Sequence, residues 1–230
     1  SFAEAGAGGN GTAVARARLE SSGLQGRLVD QQVIFRQQPK VQSTLHFGSR
    51  LVFARDGRLF VTLGDRYARR DEAQNPRNDL GKVMRLAPDG STAAELWSIG
   101  HRNVQGAALH PTTGDLWTHE HGPQGGDEVN IVEAGRNYGW PVVTYGVEYF
   151  TGRKIGEGTS KPGMQAPLWY WVPSIAPSGM AFLTSERYGA AWKGSLFVGA
   201  LRGEMLVRLQ LDGNRVVGEQ RLLQGQLGRI

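Results

Sequence analysis

The segment from Glu120 to Asn130, with the sequence EHGPQGGDEVN, combines an adjacent Asp-Glu pair with three glycines and a proline. This composition favours neither a helix nor a continuous strand and is typical of a loop whose backbone closely approaches another group. Hard cations such as Ca²⁺ bind carboxylate and backbone carbonyl oxygens. Four residues of the segment could supply such oxygens: Gly122, Pro123, Asp127 and Glu128. The spacing is not that of an EF-hand loop, and a tight turn with exposed acids fits the same residues.

His46 and Asp65 are candidates for acid-base chemistry. His46 directly precedes an apolar run, and Asp65 ends the next run along the chain, so the two side chains could lie beside each other. An Asp that orients a His fixes the tautomer of the ring and raises its basicity, as a general base requires. Taken singly, a lone His is more often structural, and an Asp at a strand end often caps a turn.

Arg102 and Asn103 lie in the segment SIGHRNVQG, which is bounded by glycines. Arg supplies a forked donor for a planar anion, and Asn adds a donor and an acceptor. A surface loop with a salt bridge explains the same pair. A further cation, Arg202 in GALRGEM, fits an exposed hairpin turn equally well.

The elements that must position these residues are predicted to be short strands. Helical periodicity is hard to find, and the apolar residues come in short runs bounded by Gly or Asp-Gly. Two Asp-Gly turns lie between alternating runs and predict hairpins. They are RDGR at residues 55–58 and LDGN at residues 211–214.

A weak internal repeat supports this prediction. Each copy is an apolar strand, a polar turn that ends in Gly, and a strand that begins with Leu and an aromatic residue; the copies span 50–65, 106–122 and 179–201. Their anchors are Leu59, Leu116 and Leu196. The irregular spacing fits β-propeller blades with long loops. An all-β sandwich would match the strand content but would not explain why the second strand of each copy leads into a polar end.

Composition excludes several classes of protein. The 230 residues contain 33 Gly, 10 Pro and no Cys, which excludes disulfides and thiolate metal sites. The net charge of +5 is scattered, without the basic stripe and interleaved aromatic residues that nucleic-acid binding requires. No apolar run is long enough to cross a bilayer, so no membrane insertion is expected. No signal peptide is visible at Ser1.

Together, the motifs carry a family resemblance. HFGSRLVF, TLGD, PDGS, ELWSIGHRNVQG, EHGPQGGDEVNI, NYGWPVVTYG, SGMAF and LFVGAL occur in this order. The sequence resembles the soluble aldose sugar dehydrogenases of the glucose/sorbosone dehydrogenase family, which depend on pyrroloquinoline quinone (PQQ). The resemblance covers residues 2–230. It implies an all-β fold of the six-bladed β-propeller family, with residues 1–230 forming a single partial domain of about four blades.

The resemblance also implies roles for individual residues. His46 matches the general base that takes the proton from the anomeric hydroxyl of the sugar, and Asp65 matches its neighbouring Asp. Arg102 and Asn103 match a pair that contacts the quinone, and Arg102 would stabilise negative charge there. The other matches to the cofactor site are His121, Tyr149, the segment Ala200, Leu201 and Arg202, and Arg229.

Two calcium sites follow from the same resemblance. Gly122 and Pro123 match residues whose carbonyls bind the Ca²⁺ that holds and polarises PQQ. Glu128 and Tyr138 match ligands of a second, structural Ca²⁺, the Tyr through its carbonyl. Glycines would keep side chains away from the flat cofactor.

The sequence also departs from the family pattern. Arg202 stands where relatives often have Lys, which changes the fork geometry towards a PQQ carboxylate. Arg229 matches the first Arg of an R-x-R motif whose second Arg lies beyond residue 230. An upstream Gln of the active site has no counterpart, so the chain is interpreted as a fragment that is inactive in isolation.

Two other functions remain open from the residues: a Ca²⁺-dependent propeller lactonase, and a non-catalytic propeller stabilised by Ca²⁺. The expected partners are a small sugar and an external electron acceptor, without nucleic acid, and an oligomer is compatible with the sequence. The family implies a periplasmic or secreted location.

Overall fold

A computed structural model describes all 230 residues and contains sixteen strands and two short 3-10 helices, Arg70–Gln74 and Ala190–Trp192. The prediction of an all-β fold is confirmed. The strands are β1 (Phe2–Gly6), β2 (Gly9–Ser22), β3 (Gln25–Arg36), β4 (Gly48–Phe53), β5 (Leu59–Leu63), β6 (Lys82–Leu86), β7 (Glu95–Ile99), β8 (Val104–Leu109), β9 (Leu116–Glu120), β10 (Asp127–Val132), β11 (Arg136–Asn137), β12 (Trp169–Trp171), β13 (Pro177–Phe182), β14 (Leu196–Ala200), β15 (Met205–Asp212) and β16 (Arg215–Leu222). Neither helix is long and apolar enough to cross a membrane.

The strands form four sheets that follow one another along the chain. The first sheet has the order β1-β2-β3, and the second has β4 to β7 in sequence with β11 parallel to β7 at its edge. The third sheet has the order β8-β9-β10-β12, and the fourth runs β13-β14-β15-β16. Strand β8 contacts β4 on one side and β13 on the other, so the first strands of the last three sheets are neighbours. Four successive sheets, the last three of which have adjoining first strands, confirm the predicted partial propeller of about four blades.

The sequence repeat corresponds to the first two strands of the second, third and fourth sheets. These strands pair as antiparallel hairpins, β4 with β5, β8 with β9, and β13 with β14. The anchors Leu59, Leu116 and Leu196 are the first residues of β5, β9 and β14, and all three are buried. Both Asp-Gly turns form as predicted, with positive φ at Gly57 and Gly213.

The apolar core lies between the sheets in three main clusters. Ten buried residues pack between the third and fourth sheets, among them Trp117 and Leu196. Seven pack between the first and second sheets, and five between the second and third. The boundary between the second and third sheets therefore has the smallest apolar cluster, and the candidate functional residues gather there.

One end of the sheets is polar. His46 precedes β4, and Asp65 follows β5. Because β4 and β5 are antiparallel partners, both residues lie at the same end of the second sheet. Arg102 precedes β8, and His121 follows β9, which places both at the corresponding end of the third sheet.

Candidate active site

A cavity of about 290 Å³ opens at the polar end, between the second and third sheets. It brings together five of the predicted site residues: His46, Asp65, Arg102, Pro123 and Tyr149. The remaining lining residues are Tyr67, Ala68, Arg70, Asp71, Trp140, Glu148 and Ile155. The cavity therefore unites residues that are more than 100 positions apart in the sequence.

His46 and Asp65 form the predicted pair, with 2.6 Å between His46 Nδ1 and Asp65 Oδ1. Asp65 is almost fully buried and accepts two further hydrogen bonds, from the backbone N–H of Tyr67 (2.8 Å) and from Trp140 Nε1 (2.8 Å). A carboxylate held by these donors stays an acceptor towards His46, which places the ring proton on Nδ1. The Nε2 atom of His46 then keeps its lone pair and can accept a proton from a bound molecule.

The backbone around His46 is tightly constrained. His46 has a φ of +50°, in the left-handed region that non-glycine residues rarely occupy. A Cβ atom at Gly64 would lie 2.0 Å from the carbonyl oxygen of His46. Glycine at position 64 therefore allows the peptide of the candidate base to pack directly on the end of β5.

Arg102 is a buried cation with an unpaired donor. Its Nη1 donates to the carbonyl of His121 (3.0 Å), and its guanidinium carbon lies 5.3 Å from the centre of the Trp140 ring. Its Nε is buried without a hydrogen-bond partner. A buried guanidinium with an unsatisfied donor and no carboxylate partner can bind an anion in the adjoining cavity.

Glu120, which the motif analysis did not single out, holds the loop that carries Arg102. Its carboxylate accepts hydrogen bonds from the backbone N–H groups of Arg102 and Asn103 and lies 3.1 Å from Nδ1 of His101. His101 also contacts Ser98 through Nε2 (2.8 Å). The polar end of the second repeat was the only sequence signal for this role.

Asn103 and His121 lie next to the cavity but do not line it. Asn103 Oδ1 accepts hydrogen bonds from the backbone of Gly48 (3.3 Å) and from Gln105 (2.9 Å). His121 Nε2 is 2.5 Å from the carbonyl of Pro177, and burial lowers the pKa of its ring. In this structure, both residues connect neighbouring elements around Arg102.

A second, very small cavity of about 10 Å³ lies deeper in the same boundary, with room for about one water or one ion. Its lining includes Arg102, His121, Gly122, Glu128 and Tyr138 from the predicted set, together with Glu120. Glu120 and Glu128 are directly paired across β9 and β10, so their side chains share one face. Burial, and then the Glu120 carboxylate, raise the pKa of Glu128 well above its usual value.

The oxygens around these cavities fit a hard cation. The carbonyls of Gly122, Pro123 and Tyr138 accept no hydrogen bond from the protein. The hydroxyl of Tyr138 bonds to the backbone of Ile131 and Glu133, and burial raises the pKa of Tyr138 to about 12. The backbone carbonyl of Tyr138 is therefore the oxygen that is available to a cation. No group of three or more His, Asp or Glu side chains is arranged around one metal position. Any cation here would therefore depend largely on carbonyl oxygens.

Two interpretations of the glycine-rich segment need correction. Asp127 is not free to bind a cation, because its carboxylate accepts hydrogen bonds from Gly122, Ser174, Ile175 and Ala176. Asp127 and Glu128 also begin β10 and lie outside the loop.

The glycines themselves keep two backbones in contact. A Cβ atom at Gly126 would lie 2.5 Å from the backbone nitrogen of Gly146, and one at Gly122 would lie 2.3 Å from backbone atoms of Gly125 and Gly126. Close packing of main chain on main chain therefore requires glycine at positions 122 and 126.

The remaining predicted residues are not gathered at the cavity. The Ala200 side chain is buried in the apolar cluster of the fourth sheet. Leu201 and Arg202 form the turn after β14, where their N–H groups donate to Ala176 and Ile175. Arg202 and Arg229 are both exposed, and neither lines either cavity.

The fold and site thus define a propeller-type protein with an imidazole-carboxylate pair and a buried cation at the polar end of its sheets. The sequence profile described as Glucose / Sorbosone dehydrogenase matches residues 1–230, and the chain belongs to this family. The family predicted from the motifs is confirmed.

Several relatives share most or all of this chain. The aldose sugar dehydrogenase YliI of Escherichia coli K12 is 40% identical over 245 residues, covering 100% of this chain and 65% of the relative. A crystal structure of a glucose dehydrogenase is 47% identical with a TM-score of 0.93, covering 100% of this chain and 69% of that one. The PQQ-bound aldose sugar dehydrogenase of Streptomyces coelicolor is 29% identical with a TM-score of 0.75, covering 99% and 63%. The chain thus spans about two thirds of the length of these relatives.

Proposed function

We propose that the full-length protein oxidises aldoses at C1 to the lactone, with His46 as the general base and with PQQ and Ca²⁺ as cofactors. The observation that carries this proposal is the His46–Asp65 pair, which shares one cavity with the buried Arg102. Support also comes from relatives named as sugar dehydrogenases, one of which has a structure with PQQ. We further propose that residues 1–230 form one partial propeller domain.

The protein supplies the proton chemistry. Nε2 of His46 accepts the proton of the C1 hydroxyl, and Asp65 holds the ring through Nδ1 and stabilises the imidazolium that forms. Trp140 and the backbone of Tyr67 hold the Asp65 carboxylate in place by hydrogen bonds. PQQ, when bound, supplies the acceptor for the C1 hydride.

The cofactors would be held by the residues that have unused polar atoms. Arg102 would pair with an anionic oxygen of the quinone through its free donor, and Tyr149 would line the same cavity. The carbonyls of Gly122 and Pro123 would bind one Ca²⁺, and Glu128 with the Tyr138 carbonyl would bind the second. The outer part of the site is proposed to contact the cofactor only when the cofactor is bound. It consists of Asn103, His121, the segment 200–202 and Arg229.

The proposed partners are a small aldose and an external electron acceptor, and the proposed location is the periplasm or the outside of the cell. The aldose is supported by the E. coli relative, which is named an aldose sugar dehydrogenase. The acceptor and the location are proposed from the family resemblance.

Reconstitution tests the proposal. The full-length protein, treated with a chelator and then supplied with PQQ, Ca²⁺ or both, is assayed by reduction of an artificial dye with glucose and other aldoses. We expect activity only when both are present. Activity without PQQ would refute the dehydrogenase, and Ca²⁺ binding without any sugar oxidation would favour a non-catalytic propeller. Lactone hydrolysis with Ca²⁺ alone would favour a lactonase.

A further inference from the structure

Arg66 and Tyr67 directly follow Asp65 and surround the candidate base together with it. The Tyr67 ring meets the His46 ring edge-on, with 5.3 Å between their centres. The guanidinium carbon of Arg66 lies 3.6 Å from the centre of the Phe47 ring. Three consecutive residues therefore contact either the base or the residue after it.

Arg66 also connects the base to the first sheet. Its Nη2 donates to Asn10 Oδ1 (2.6 Å), on β2, and to the Ser43 carbonyl (2.5 Å), in the segment that leads to His46. Stacking on Phe47 and bonding to Ser43 fix the chain on both sides of His46.

This arrangement is costly for stability. The Arg66 side chain is fully buried, its hydrogen-bond partners are neutral oxygens, and its Nε and Nη1 have no partner. A buried charge without a directly paired carboxylate costs stability, and the charge of the neighbouring Asp65 offsets only part of that cost, because burial still lowers the pKa of Arg66. Arg66 and Tyr67 also have φ values of +61° and +66°, and two consecutive non-glycine residues in this region add strain.

We propose that Arg66 is a positioning residue: it fixes the orientation of His46 by clamping Ser43 and Phe47, and the strained Asp65-Arg66-Tyr67 turn serves this purpose. The proposal rests on the assignment of His46 as the base. The guanidinium of Arg66 lies over the Phe47 ring while one nitrogen donates to two acceptors, a combination that suits the extended, delocalised cation of arginine. An ammonium group at this position would keep the charge but lose the stacking.

Arg208 offers a matched control. It is also buried, its guanidinium lies 4.6 Å from the centre of the Trp192 ring, and it donates to Ser195, Gln220 and Ala191, all neutral acceptors. It lies in the fourth sheet, and it lines neither cavity of the candidate site. A general effect of removing a buried, stacked arginine should therefore occur at both positions, whereas an effect on the base should occur only at Arg66.

The first experiment uses the full-length protein without cofactors and needs no enzymatic activity. Histidine is labelled with ¹⁵N, and the His46 Nδ1–H signal is assigned with His46→Gln. We expect solvent exchange of this proton to become at least about tenfold faster in Arg66→Met, because the base is less well held. Arg208→Met should leave the exchange rate unchanged. Equal protection in Arg66→Met and the wild type would overturn the proposal, whether or not the protein oxidises sugars.

The second experiment uses the reconstituted enzyme. Arg66→Met should lower kcat by about 10²-fold with little change in KM, since the misplaced base serves the chemical step. Arg66→Lys should recover part of the loss, and Arg208→Met should keep kcat. A kcat near the wild-type value in Arg66→Met, or an equal loss in Arg208→Met, would overturn the proposal.

If Arg66→Met does not fold, Phe47→Leu decides. This variant removes the stacking surface and keeps the charge. Faster exchange of the His46 proton in Phe47→Leu would support the clamp, and unchanged exchange would refute it.

Discussion

The boundary between the second and third sheets differs sharply from the boundary between the third and fourth. Ten buried apolar residues fill the boundary between the third and fourth sheets, around Trp117 and Leu196. Five buried apolar residues fill the boundary between the second and third sheets. Beside them, one face of β9 and β10 carries the buried polar residues Thr118, Glu120 and Asn130 and the half-buried Glu128. Because side chains alternate along a strand, β9 presents Trp117 and His119 to one boundary and Thr118 and Glu120 to the other.

The difference shows how one strand serves two purposes. Its apolar face holds the third and fourth sheets together, whereas its polar face supports Arg102 and the carboxylate pair. Oxygen atoms of Thr118 and Asn130 remain buried without a partner on the polar face. Unsatisfied buried groups reduce stability, and they occur on the apolar face as well, at Trp117 Nε1 and at both ring nitrogens of His119.

The largest stability effect is expected at the apolar boundary. His119 is fully buried there, its ring nitrogens have no partner, and burial, followed by the charge of His121, lowers its pKa to about 3. Below the ordinary pKa of 6.5, the unfolded chain takes up a proton that the native ring resists. Stability should therefore fall as the pH drops from about 6.5 towards 3, by up to about 1.4 kcal/mol per pH unit from this group.

Denaturant unfolding at several pH values measures this slope. His119→Leu should reduce the slope, because the variant has nothing to protonate at this position. The control Leu196→Ala should lower stability by about 2–5 kcal/mol at every pH while keeping the slope. A wild-type slope in His119→Leu would show that other groups cause the acid sensitivity.

A smaller effect, opposite in sign, is expected at the polar boundary. Glu128 faces Glu120, and burial beside this second carboxylate makes ionisation of Glu128 unfavourable in the folded protein. Glu128→Gln should therefore stabilise the Ca²⁺-free protein at neutral pH, by about 1–3 kcal/mol. Added Ca²⁺ should stabilise the wild type and have much less effect on the variant. Thermal unfolding with and without Ca²⁺ measures both.

Glu186→Gln is the control for this prediction. Glu186 is exposed and pairs with Lys193 in the connection between β13 and β14, so its variant should respond to Ca²⁺ as the wild type does. An equal gain from Ca²⁺ in Glu128→Gln and the wild type would exclude Glu128 as a ligand.

The sequence predicted the local features of the fold well. Asp-Gly turns and Leu-aromatic strand starts depend on neighbouring residues, and they identified the hairpins that bring His46 and Asp65 together. The sequence did not predict that Asp127 is saturated by four donors, because three of them come from residues 174–176, in a distant segment. Trp140, which bonds Asp65 from 75 positions away, was missed for the same reason. Contacts of this kind depend on how the sheets pack, which no local pattern encodes.

The central claim is that His46, held by Asp65, is the base that starts sugar oxidation. The most direct test measures kcat and PQQ affinity of His46→Ala in the full-length protein reconstituted with PQQ and Ca²⁺. We expect kcat to fall by about 10²–10⁴-fold while PQQ affinity changes little, because the imidazole acts on the sugar. Retention of kcat in His46→Ala, or a loss of PQQ affinity as large as the loss of kcat, would contradict it.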